Sequence, residues 1–142
     1  MKRLTEKHIS KTLTFRKKIS KRLGRKAFED WPIYPGELRF HNEEAMFEYF
    51  HPRQKLLADL WRKGKLEEAE ELGEKMIRQG FKYPTVFTIL ALIYRKQKRY
   101  LKEAEVLKKG MQAQIDMGNS KSVYRDFERR LRKITRFQAD LD

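Results

Sequence analysis

The sequence predicts an all-α fold, and three observations carry that expectation. Apolar residues recur at intervals of three and four along most of the 142-residue chain, which is the period of one helical face. Charged residues make up 38% of the sequence, and their mixture with Leu and Ala suits long amphipathic helices. Sustained alternation of Val, Ile and Thr is missing and Gly-containing hairpin turns are few, so strand signals are poor.

The elements follow in chain order. Residues 4–23 place Leu4, His8, Phe15, Ile19 and Leu23 at roughly helical spacing, with Ile9 and Leu13 beside them and Gly24 as a stop. Trp31-Pro32-Ile33-Tyr34-Pro35-Gly36 then reads as an ordered turn or linker whose aromatic groups pack onto the body. Asn42 is a good N-cap, and Glu43 and Glu44 suit a first helical turn. Met46, Phe47, Tyr49 and Phe50 give the apolar face of a short helix that Pro52 is expected to end. The same proline starts the next helix, 52–63, with Leu56, Leu57, Leu60 and Trp61 on one side.

Gly64 breaks that helix, and 66–79 follows with Leu66, Ala69, Leu72, Met76 and Ile77 inward, closed by Gly80. Pro84 opens a helix to about Lys98 with Phe87, Leu90, Ala91 and Tyr94 inward. The next begins at Tyr100 or Leu101, carries Ala104, Leu107, Met111 and Ile115, and stops at Gly118. Ser120 or Ser122 caps a last helix with the stripe Val123, Phe127, Leu131, Ile134 and Phe137 or Gln138. The chain thus divides into a basic arm (1–26), a Pro/aromatic linker (27–41), a helical domain (42–138) and a short tail (139–142).

Charge is unevenly distributed. The whole chain carries a net +14 and residues 1–26 alone carry +10, with eleven Lys or Arg against Glu6. Residues 120–136 carry a further +5, and the segment between is nearly neutral. Such blocks imply a polyanionic or acidic partner. Cysteine is absent, which excludes disulfides and thiolate metal sites. The basic start lacks an apolar core of the signal-peptide kind, and no window approaches a membrane span. The expectation is a cytoplasmic protein without a transmembrane segment.

Residues 52–83 and 84–117 are similar to one another. Each has a Pro-led helix, a short break, and a second helix with Glu-Ala near its start: Glu68-Ala69 in one, Glu103-Ala104 in the other, a period of 35. Leu56, Leu57 and Leu60 correspond to Leu90, Ala91 and Tyr94. With Gly64, Leu66, Tyr100 and Pro84 in place, the pair resembles the tetratricopeptide repeat, a helical hairpin of about 34 residues. The resemblance implies a tetratricopeptide-like array of α-hairpins, an α-α superhelix, with the basic arm before it and a capping helix after it. Ala69 and Ala104 would sit where paired helices cross closely.

The resemblance also implies a peptide groove lined by the first helix of each hairpin. The corresponding positions are Gln54, Lys55, Ala58, Arg62, Thr88, Ile89, Leu92, Arg95 and Lys96. Their basic members suit an acidic peptide. Neither helix contains the Asn that the carboxylate-clamp members of the family use.

Catalytic chemistry finds little support. His8, His41 and His51 have no metal-ligand spacing, although His41 lies near Glu44. Phosphate loops and dinucleotide motifs are missing. The few serines sit in the arm or at a cap rather than in a triad pattern. No cofactor or metal is expected.

The expected function is therefore a non-enzymatic helical-repeat adaptor for a protein or acidic peptide. The alternative is a nucleic-acid-associated factor that binds DNA or RNA phosphates through the arm and the last helix. Candidates for that contact are Arg16, Lys17, Lys18, Lys21, Arg22, Arg25, Lys26, Arg125, Arg129, Arg132 and Lys133. A second copy of the chain is a further candidate partner, because a short repeat array leaves apolar ends.

Overall fold

The computed structural model describes residues 26–118 and 121–141. The expected arm helix, its Gly24 stop and Ser120 lie outside these residues. So do Arg16, Lys17, Lys18, Lys21, Arg22 and Arg25.

Five α-helices follow a single 3-10 turn at Phe28–Asp30: α1 (Glu43–Arg62), α2 (Leu66–Arg78), α3 (Pro84–Lys96), α4 (Tyr100–Met117) and α5 (Lys121–Leu141). There is no strand among the described residues. Helix starts obey local chemistry. The Asn42 side chain accepts a hydrogen bond from the Ala45 N–H at 2.8 Å, and Pro84 stands in the first turn of α3, where its missing N–H costs nothing. Helix ends share one device. The Phe81 N–H donates to the Met76 carbonyl and the Gly80 N–H to Ile77, with Gly80 at φ 98°, a left-handed stop. The same pair of bonds closes α3 from Arg99 to Tyr94 and from Lys98 to Arg95. There Lys98 itself takes φ 57°, so α3 ends at Lys96 rather than Lys98.

Pro52 does not divide the chain as expected. It lies inside the continuous helix α1. Proline removes one intrahelical donor and crowds the carbonyl four residues back. Beside the proline, the Arg53 guanidinium donates to the Tyr49 carbonyl at 2.7 Å and lies 3.6 Å from the Tyr49 ring centroid. Packing of Met46, Phe50 and Leu57, all buried on one face, holds the helix through the proline. At the other end of the chain, the last helix extends through Leu141, so residues expected as tail continue the helix.

Successive helices are antiparallel neighbours in two layers. Going along α1, Glu43 meets Tyr83, Gln54 meets Thr85 and Trp61 meets Lys96, so α1 and α3 run parallel, side by side. Gly110 of α4 receives both Phe87 of α3 and Phe127 of α5, each 3.1 Å from where its Cβ would be. Helices α1, α3 and α5 thus form one layer and α2 and α4 the other, the two-layer arrangement by which amphipathic helices bury their stripes. The close approaches are at Gly110 and at Gly73, where a Cβ would stand 2.9 Å from Leu90. Ala69 is fully buried, as expected for a tight crossing, whereas Ala104 is only partly buried.

Inward stripes differ from expectation at three places. Phe47, Leu56 and Ile115 are about half exposed. Phe47 stacks on His51 at 4.6 Å. The buried line of α4 is instead Glu103, Val106, Leu107, Gly110, Ala113, Gln114 and Met117.

Residues 26–41 form a strap across one end of the stack. The Lys26 N–H donates to the Met117 carbonyl at 2.7 Å, and the Leu38 N–H to Gln79 at 3.0 Å. Trp31 is buried against Phe28 and Tyr83. Edge-to-face contacts run on from Tyr83 through Phe81 and Phe50 to Phe40. The Tyr34 hydroxyl reaches both oxygens of Asp116 at 3.0 and 3.1 Å, and the Lys82 ammonium lies 3.1 Å from the same carboxylate. Both ends of that ion pair are more than nine-tenths buried.

Candidate basic interface

The outer face of the α1–α3 pair carries the groove candidates. Gln54 Nε2 donates to Thr85 Oγ1 at 3.4 Å, tying the two helices together. Lys55 and Arg62 are exposed, and Arg62 is held by Asp59 one turn back. Ala58 and Thr88 are half-buried and Ile89 is buried. Leu92 is 37% exposed. Lys96 is exposed, its ammonium 6.0 Å from the centre of the Trp61 ring.

Arg95 stands apart from the other candidates. Its guanidinium lies 2.8 Å from Glu103 Oε2, so it is tied into the α3–α4 interface rather than presented outward. Glu103 is 2% exposed. Burial raises its pKa, and Arg95 and then Arg130 pull it back. Glu103 Oε1 has no hydrogen-bond partner among the described residues.

Helix α5 is amphipathic in the strict sense. Phe127 and Ile134 are buried, with Val123 and Leu131 packed beside them, all on the side facing α4. The hundred-degree advance per residue puts Arg125, Arg129, Arg132 and Arg136 on the opposite side, with Lys133 at its edge. All five are exposed. Asp126 serves Arg130 at 3.2 Å and Arg129 at 3.7 Å, and Glu128 serves Arg132 at 3.2 Å. Lys55, Lys96, Arg125 and Lys133 have no ion pair among the described residues. Lys26 is exposed at the strap's first residue.

Acids gather elsewhere. Glu67, Glu70, Glu71 and Glu74 line a shallow depression on α2 with Arg78. Two of them are engaged: Glu70 pairs with Arg99 at 2.7 Å, and Glu74 accepts the Tyr94 hydroxyl. Burial and that bond raise the Tyr94 pKa strongly. The basic face and the acidic helix therefore belong to different layers of the fold.

Among the described residues, no three His, Cys, Asp or Glu side chains gather as a metal site, and no helix is long and apolar enough to cross a membrane. Sequence reasoning passes over Glu103, Lys82 and Asp116, because a single charge on a helical or loop segment looks like any solvated one. A hint exists at Glu103 and Gln114, which interrupt positions that the helical period assigns to the core. No family model, curated protein or solved structure matches the chain.

Proposed function

We propose that the protein is a non-enzymatic adaptor of the tetratricopeptide-like kind, which seats an acidic segment of a partner protein on the outer face of α1 and α3. The observation that supports this reading is Leu92, 37% exposed on a face otherwise edged by bases. Lys96 stands one turn further along the same helix, and Lys55 and Arg62 stand on the neighbouring one. An apolar anchor desolvates on contact and supplies affinity, while unpaired lysines favour an acidic ligand and speed its approach. The succession of antiparallel hairpins supports the repeat reading.

Fluorescence anisotropy with a labelled acidic peptide containing one leucine tests the proposal. Reversing two charges, K55E with K96E, is expected to weaken binding about tenfold or more, because two exposed attractions become repulsions of roughly 0.5–1 kcal/mol each. Absence of binding by the unaltered chain, or equal binding by the variant, overturns the reading.

A further inference from the structure

We infer that α5 is a second, separate interface, which binds the phosphate backbone of duplex nucleic acid without regard to sequence. Arg125, Arg129, Arg132 and Arg136 are all exposed and follow one another at steps of four, three and four residues. That spacing keeps them on one face over about 16 Å of helix. Four guanidiniums in a row suit phosphates, because each offers a planar fork of donors and none can lose its charge. The acids in the same stretch are Asp126 and Glu128, which satisfy only part of this charge.

The same geometry chooses among anionic partners. A helix that binds a lipid surface must bury its apolar side in the membrane. Here Phe127 and Ile134 are spent on packing within the protein, with Val123 and Leu131 against them, so the apolar stripe over residues 121–136 is not free to insert. An acidic protein would need a desolvated anchor at the centre of its contact, and the outer face of α5 offers none among residues 121–136. Single strands are held by aromatic stacking as well as charge. Among residues 121–136 the aromatics are Phe127, which is buried, and Tyr124, which is half-buried. A uniform row of arginines, with no amide side chain among residues 121–136 to read a base edge, fits duplex phosphates and carries no sequence information.

The test is duplex binding by the full chain across a salt series, compared with the variant R125Q/R129Q/R132Q/R136Q. Each phosphate contact contributes about −0.9 to the slope of log K against log salt. The variant's slope is therefore expected to be shallower by about 3 to 4, for any duplex sequence of equal length. Circular dichroism checks that the variant folds; if it does not, R125Q/R129Q is read instead, with an expected change of about 2. An unchanged slope assigns any duplex binding to other basic residues and overturns the inference. So does an absence of duplex binding at 50 mM salt, or a single strand of equal length binding more tightly and losing as much slope. The K55E/K96E variant serves as the internal control and should keep the duplex slope nearly intact.

Discussion

Glu103 shows what one side chain decides. Its carboxylate is buried between α3 and α4, with Arg95 in contact and Arg130 acting from α5. Desolvation outweighs these two charges and raises its folded-state pKa. Between the ordinary carboxylate pKa and that raised value, the folded chain holds a proton that the unfolded chain has released. This residue's contribution to stability therefore grows as pH falls through the window and declines as pH rises past the folded value. Urea midpoints for the protein and for Glu103→Gln check this: on going from pH 7 to pH 5 the unaltered chain should gain relative to the variant. A parallel or opposite trend refutes it. Lys98 is a second single-residue case. It occupies the left-handed position that Gly64 and Gly80 fill after α1 and α2, at a cost a glycine avoids. Lys98→Gly should raise stability by about 0.5–1 kcal/mol, read as a higher denaturation midpoint with an unchanged slope.

At the scale of elements, the strap depends on a charge pair that helical periodicity has no means of signalling. Lys82 and Asp116 lie 34 residues apart, and each taken alone resembles a surface residue. Brought together under Tyr34, they form a buried pair, and removing Asp116 leaves the buried Lys82 ammonium with only the longer approach to Glu37, at 4.0 Å. Asp116→Ala should cost about 3 kcal/mol. The double change with Lys82→Met should cost less than the sum of the two single changes, which a double-mutant cycle by denaturant titration measures; strict additivity would show that the pair is not coupled. The aromatic linker, in contrast, is legible. Two prolines and a glycine announce a turn, and its large apolar rings must find cover, which Trp31 does in the core. Pro52 marks the limit of local rules. Read alone it ends a helix, yet three buried residues, Met46 and Phe50 before it and Leu57 after it, outweigh one lost hydrogen bond.

For the molecule as a whole, the all-α class and the positions of the helices follow from spacing and stop signals that are purely local. Which residues line the core follows less well, because a stripe read from apolar residues alone skips the glycines. Gly73 and Gly110 have no side chain to register as inward, yet they fix how closely the two layers approach. In α4 this omission rotates the apparent stripe and points Ile115 inward, where the structure leaves it half exposed. The basic faces are legible as charge, since Lys and Arg counts survive any packing. Their division between layers is not, because it depends on which helices share a side. Arg95 is the clearest instance: the repeat resemblance makes it a groove candidate, and only the fold reveals that Glu103 occupies it.

A linear stack of helical hairpins ordinarily lets its end units come and go one at a time, since each touches only its neighbours. The Tyr34–Asp116 bond joins residues 82 positions apart, and the Lys26–Met117 bond closes a similar span. The hairpins between them are thereby enclosed in a loop of chain that is fastened at both sides. Fraying α4 from one end must release the strap at the other, so the cost of local opening becomes shared. The molecule should consequently melt as one cooperative unit, slower to form than its mostly local helical contacts imply and correspondingly harder to unravel from either end.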